Sequence, residues 1–479
     1  MTEPTTAAFD VHMHLLPLAH VCLSAYLEFA KHNSLAEAYA QATAADYIAS
    51  GILKREGNAL NIVAVMERSA AEQLMLYEDD LRGVFAARAA GNDEVLATDG
   101  AIITERGVEI YGGAGKRLRY KKLVVCPQVM DFNLRPPLSL YYSTAPDHDI
   151  LRQAEDMLRA IDAYHAARPD GALAVLPFIG INPLTYDERY LQRVLETCFP
   201  ADAGVDGQRP SAAGTHGDGI AALSAASVGN GGATMPSADS TRNGCATAPT
   251  TAVARNSGST HSATPARARF GGVKVYPPMG FDPSPADSAS SAKMELLFAF
   301  CESRGIPIVT HCDDQGFRML PLEESFRYTS PERWEPVLAR HPQLWLDFAH
   351  FGEQYYKGLP VGKLSDLPQK LFAALTKQET SWRERILQLM KRYPHVYADV
   401  SFGGAASDNW QRLVELLEAA PAGDRALYES RLLFGTDWPL SLTKTESALA
   451  YWRGFAESAI PQPLAEKLLC ANPQAFLFH

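Results

Sequence analysis

The chain has 479 residues, 47% of them apolar and 21% charged, with a formal net charge of -11. That length supports a large core and leaves room for more than one domain, while the acidic balance argues against a general affinity for nucleic acid or anionic lipid. Seven cysteines with no C-x-x-C pair read as reduced thiols of a cytoplasmic protein, and neither a basic-then-apolar leader nor an apolar run of membrane-spanning length is visible.

Eight short apolar runs recur along the chain: Ala8 to Leu16, Lys122 to Phe132, Ala172 to Ile181, Gly272 to Pro277, Pro307 to His311, Leu344 to His350, Val396 to Phe402 and Leu432 to Asp437. Near-continuous runs of this length suit strands buried on both faces, as in parallel sheets. Between most of them lie stretches with apolar spacings of three and four: Asp147 to Ala167, Tyr186 to Phe199, Ala286 to Arg304, Trp382 to Tyr393 and Asp408 to Ala419. The alternation predicts an α/β fold, and eight units fit a closed (β/α)8 TIM barrel better than an open doubly wound sheet.

Two segments interrupt the repeat. Residues 19–121 form an inserted, helix-rich unit after the first strand, with a short hairpin expected over Ala101 to Tyr111 and Gly107 near its turn. A long loop at a barrel mouth covers or shapes a pocket, so a lid or cap is expected. Residues 201–269, just before the fourth strand, are dominated by Ala, Gly, Ser, Thr, Asn and Pro. Such a composition cannot bury enough surface to offset its ordering entropy and reads as a disordered insertion. Because the pattern before it resumes after it, residues 1–479 are read as a single domain.

Barrel enzymes carry their chemistry at the C-terminal ends of the strands. Strand one ends in His12-Met13-His14, strand five in His311, strand six in His350 and strand eight in Asp437. Alternation puts His12 and His14 on one face, where both imidazoles can reach one cation at about 2.0–2.1 Å. Each histidine alone is more simply a buried polar residue. Together they favour a metal, because buried ionisable groups cost several kcal/mol unless compensated. Gly112 to Arg117 lacks the glycine spacing and the final Ser or Thr of a phosphate loop, and neither His-Glu-x-x-His nor Gly-x-Ser-x-Gly occurs.

The ordered set His12-Met13-His14, His311, His350 and Gly435-Thr436-Asp437-Trp438-Pro439, with the closing Asn472-Pro473-Gln474-Ala475-Phe476-Leu477-Phe478, resembles the amidohydrolase superfamily. It is most similar to the amidohydrolase-2 branch, which holds hydrolases, lactonases and nonoxidative decarboxylases. The resemblance implies that His12, His14, His311 and Asp437 bind one divalent metal, zinc first among the candidates. It implies that Asp437 also contacts the attacking water and that His350 polarises substrate or shuttles a proton. Lys274, on the fourth strand, is expected as a free lysine that binds a substrate carboxylate. In binuclear members a carboxylated lysine at this strand bridges two metals, and that alternative stays open. Arg135 is a second candidate for the carboxylate, though a surface residue of the Arg-Pro-Pro turn is the simpler reading. Asp313 and Asp314 could orient His311.

The expected function is metal-dependent hydrolysis of a C–N or C–O acyl bond in a small molecule by a metal-activated water. Nonoxidative decarboxylation of an aromatic or unsaturated acid at the same site is the alternative, and a non-catalytic binding barrel is a third reading. A homo-oligomer is compatible with all three.

Overall fold

The computed structural model describes residues 5–17, 62, 64–85, 100–131, 150–201, 270–314, 316, 320–355 and 381–479. Arg135 and nearly all of the 201–269 segment lie outside the described residues, as do 18–61 and 86–99 of the expected lid.

All eight apolar runs contain strand. In chain order they carry β1 (Thr5–Met13), then, after a short antiparallel pair β2 (Ile103–Thr104) and β3 (Gly107–Tyr111), β4 (Arg117–Pro127), β5 (Leu173–Val175) with β6 (Phe178–Gly180), β7 (Gly272–Val275), β8 (Ile308–Thr310), β9 (Leu346–Phe348), β10 (Val396–Val400) and β11 (Leu432–Phe434). β1, β4 and β5 pair in parallel, and β6 through β11 form a second parallel series in chain order. The third run is split at Pro177, which has no N–H to give a ladder. β5 pairs with β4, while β6 pairs with β7.

The two series meet on both sides. A parallel bridge links Gln128 to Phe178. On the other side the Thr436 and Asp437 N–H groups donate to the His12 carbonyl at 3.1 and 2.7 Å, and the His14 N–H donates to the Trp438 carbonyl at 2.6 Å. Ala7, Phe9, Val11, Val124, Cys126, Phe178, Val309 and Leu433 pack into one apolar cluster, and a larger cluster fills the space between strands and helices. The five cysteines among the described residues are buried free thiols. No helix among the described residues is long and apolar enough to cross a membrane.

The hairpin expected over Ala101 to Tyr111 exists, and β4 begins at Arg117, five residues earlier than the sequence suggested. The reason is pairing: β3 adds antiparallel to residues Arg117 to Tyr120, which drives the otherwise polar start of β4 into the sheet. The helix α1 (Ala70–Leu81) opens with a reciprocal capping box between Ser69 and Glu72. It buries Leu74, Tyr77 and Leu81 along one face and stops before Gly83 at φ 76°. It packs on α2 (Ile150–Ala167) and on a late helix, Ala448–Glu457. The expected helices between strands are also present: α3 (Glu188–Cys198), α4 (Ser288–Ser303), α5 (Trp382–Arg392) and α6 (Ser407–Ala419).

Asp80 joins α1 to the late helix. Its Oδ2 accepts from the Ala448 N–H at 2.7 Å and the Leu449 N–H at 3.4 Å, the orphan donors of that helix. Burial pushes its carboxyl from an ordinary 3.8 up to about 6, against those hydrogen bonds. A carboxyl raised on folding adds stability below its unfolded pKa, and that contribution is lost as pH rises through the folded value. Asp80→Asn, which keeps an acceptor and cannot ionise, is therefore expected to gain stability relative to wild type as pH rises from 4 to 7. Paired denaturant titrations across that range check it; a constant difference between the proteins would contradict it.

Candidate metal centre

β1 does not keep simple alternation to its end. Its register against β4 shifts between Asp10 and Met13, and such an irregularity re-aims side chains. Asp10 and His12, two residues apart, consequently serve different neighbourhoods. Asp10 accepts from Tyr77 of α1 at 2.7 Å and from the Thr436 hydroxyl and N–H at 2.7 and 2.9 Å. His12 reaches Asp399, Lys274 and Asp437.

His12, His14 and Asp437 are buried, and their ligand atoms lie within 4.8 Å of one another. His12 Nδ1 is 2.8 Å from Asp399 Oδ2, and His14 Nδ1 is 2.9 Å from the Gln128 carbonyl. Both partners can only accept, so each neutral ring carries its proton on Nδ1 and turns the lone pair of Nε2 inward. Those two Nε2 atoms stand 3.6 and 3.2 Å from Asp437 Oδ1. Three electron-pair donors thus converge with no proton between them, a donor set that fits a divalent cation.

For His12, electrostatics agree with a neutral ring. Burial, with the nearby Lys274 charge, pushes His12 down to about 3, against Asp399 and Asp437. Burial would raise Asp437, yet the His14, His350 and His12 rings hold its carboxyl below the ordinary range. Asp399 shows the same balance: burial opposes ionisation, and the His12 contact and the Ser401 bond hold it ionised. Asp437 has φ 56°, a conformation that aims its side chain into the cluster and costs strain in a non-glycine residue. Gly435 makes room for it, since a methyl there would stand 2.7 Å from His12 Cβ and 3.1 Å from Ser401 Cβ.

His311 belongs to a neighbouring trio with Asp313 and His350 rather than to the first. Its Nε2 is 3.1 Å from Asp313 Oδ1 and its Nδ1 3.2 Å from His350 Nε2. His350 joins the trios, with ring centroids 4.9 Å from those of both His12 and His311. Burial pulls the His350 pKa down, so the ring is neutral near pH 7. Lys274 is buried with Nζ 3.4 Å from His12 Nε2. Burial pulls it to about 8, although Asp399, Asp437, Asp347 and Asp313 favour its charge. Asp314 accepts from the Tyr355 N–H at 2.9 Å. Cys312 faces away, towards the Thr329 carbonyl.

Asp399 and Lys444 are polar partners of the site that the sequence reading misses. Asp399 was detectable as a carboxylate inside the apolar run Val-Tyr-Ala-Asp-Val. Lys444 stands 3.8 Å from the Phe402 ring centroid and 4.1 Å from that of Tyr355, and nothing in its local sequence announces this.

Residues 260–478 match the family model described as Amidohydrolase. The match spans a little under half of the chain, and this part is similar to the amidohydrolase-2 family. The matched region supplies Lys274, His311, His350, Asp399, Ser401 and Asp437, whereas His12, in β1, and His14, just after it, lie outside the matched residues. A comparison with curated proteins finds no match. Among solved structures, the chain is similar to the 5-carboxyvanillate decarboxylase of Sphingomonas paucimobilis, at 12% identity over 83% of this chain and 90% of that one, with a TM-score of 0.36. It is similar to an amidohydrolase from Burkholderia multivorans with bound zinc, at 19% identity over 44% of this chain and 66% of that one, TM-score 0.26. A third is the 4-oxalomesaconate hydratase of Rhodopseudomonas palustris, at 12% identity over 98% and 95% of the two chains, TM-score 0.33.

Proposed function

We propose that the chain is a metal-dependent hydrolase of the amidohydrolase type, acting on a C–N or C–O acyl bond of a small molecule. The reading takes the eight parallel strands as a (β/α)8 barrel with its site at their C-terminal ends. His12 Nε2, His14 Nε2 and Asp437 Oδ1 would hold one divalent ion, zinc in the first instance; His311, which the resemblance adds to the set, stands in the neighbouring trio with Asp313 and His350. The observation that carries it is the convergence of two imidazole lone pairs and one ionised carboxylate within 4.8 Å.

A divalent ion held there supplies Lewis acidity and brings a water's pKa down towards about 7. The remaining work falls to this chain's own residues. Asp437, held ionised, accepts the proton of the attacking water and later returns it to the leaving group. His350, neutral and buried, donates a hydrogen bond to the oxyanion that develops on the substrate. Lys274, unmodified, offers its ammonium to an anionic substrate oxygen.

Elemental analysis of protein purified without chelator tests the reading. Wild type is expected to hold about one divalent ion per chain, as in a mononuclear site, and His12→Ala to lose it. About two ions would instead support a carboxylated Lys274 bridging a pair. Metal-free wild type would move the chain to a binding role without catalysis. Incubation with amides, lactones and aromatic acids then separates the reactions: CO₂ release without hydrolysis would replace the hydrolase reading with a decarboxylase.

A further inference from the structure

Ser401, which follows the end of β10, stands between two histidines of the site. Its Oγ is 3.2 Å from His12 Nδ1 and 2.9 Å from His350 Nδ1. A hydroxyl has one proton to give and two lone pairs with which to accept. Which way that proton points decides what His350 can do.

The direction follows from Asp399. Its Oδ2 can only accept, so His12 Nδ1, 2.8 Å away, carries that ring's proton. Towards Ser401, His12 is therefore a donor, sharing its N–H weakly with Oγ. The Ser401 hydrogen is left for the remaining acceptor, His350 Nδ1. The opposite arrangement would have His350 Nδ1 donate to Ser401 and turn the Ser401 hydrogen either to the occupied His12 Nδ1 or to Asp399, whose two oxygens already accept from His12 Nδ1 and from the backbone N–H groups of His350 and Ser401. The other oxygen of Asp399 holds the pair in place: Oδ1 accepts from the backbone N–H of both His350 and Ser401 at 3.1 Å. His350 is kept at φ 62° at this point, a conformation that local sequence preference would not select.

We propose that Ser401 sets the tautomer of His350, holding its proton on Nε2 so that the ring presents an N–H, not a lone pair, on the side away from Ser401. On that side Nε2 lies 3.2 Å from His311 Nδ1 and 3.9 Å from Asp313 Oδ2. Ser401 is thus a positioning residue, and the inference deepens the reading of His350 as the group that donates to substrate. It makes His350 a hydrogen-bond donor and acid at Nε2 from the outset of a turnover, with no rearrangement of protons required.

The test needs no substrate. Protein labelled with ¹⁵N-histidine is examined by long-range ¹H–¹⁵N correlation, with His350→Gln used to assign the His350 ring. The expected wild-type pattern has Nδ1 unprotonated and Nε2 protonated. In Ser401→Ala the His350 signals should move to the Nδ1–H pattern or to averaged values, and Ser401→Thr should restore them. A wild-type ring protonated at Nδ1, or an unchanged ring in Ser401→Ala, would overturn the proposal. If Ser401→Ala does not fold, the wild-type pattern alone decides. Metal content measured on the same samples judges the metal reading separately: metal-free wild type with the expected tautomer would sink that reading and leave the Ser401 assignment standing.

Discussion

Asp437→Asn is expected to lower turnover by about 10³-fold and to empty most of the metal site, while leaving the fold intact. The carboxylate is asked to do two jobs, to ligate the ion and to take the proton of the attacking water, and loss of a positioned base alone costs roughly 10²–10⁴-fold. Asparagine suits the test because the backbone at this position is left-handed, with φ 56°, a region that asparagine tolerates better than most residues. The Asp437 N–H bond to the His12 carbonyl at 2.7 Å survives the change as well. What disappears is the charge, and with it the anionic donor that stands 3.6 and 3.2 Å from His12 and His14 Nε2. Metal per chain after dialysis and the rate on any substrate turned over by wild type are the measurements. Normal values for both would remove Asp437 from the centre of the mechanism.

Asp399→Asn, at a residue outside the His12–His14–Asp437 trio, is expected to weaken metal binding by about 10- to 100-fold, the usual consequence of disturbing a partner of a ligating histidine. The cause is a swapped proton. With the new amide nitrogen at the Oδ2 position, a donor would face the His12 Nδ1–H at 2.8 Å. The ring relieves that clash by moving its proton to Nε2, the atom whose lone pair the ion requires. With the amide turned the other way, its nitrogen would face the His350 and Ser401 N–H groups that now share Oδ1. Either orientation therefore damages the site. Competition against a chelator of known affinity measures the loss, and an unchanged affinity would show that the His12–Asp399 contact does not govern the metal.

The eight strand-bearing runs were legible because their strand residues are largely buried on both faces, which leaves an apolar run in the chain. His12, His14, His311, His350 and Asp437 stood out for the same reason, as polar residues at the ends of such runs. Helix positions followed from the spacing of Leu, Ile and Ala in stretches such as Asp147 to Ala167, where α2 forms. Less was legible where pairing overrode local character. The polar start of β4 becomes strand only because β3 lies beside it, and Pro177 splits one apolar run between two partners.

By itself, then, the order of residues determined which segments become buried strand and which side chains stand at their ends, since burial on two faces and helical spacing are properties of neighbours in the chain. Tertiary structure alone decided where those side chains aim and which protons they carry. The register shift that parts His12 from Asp10, the Asp399 contact across 387 positions and the Ser401 link across 389 arise from strands brought together by folding. Hydrogen-bond direction depends on the partner at the far end of each bond, and no local pattern encodes a partner that distant.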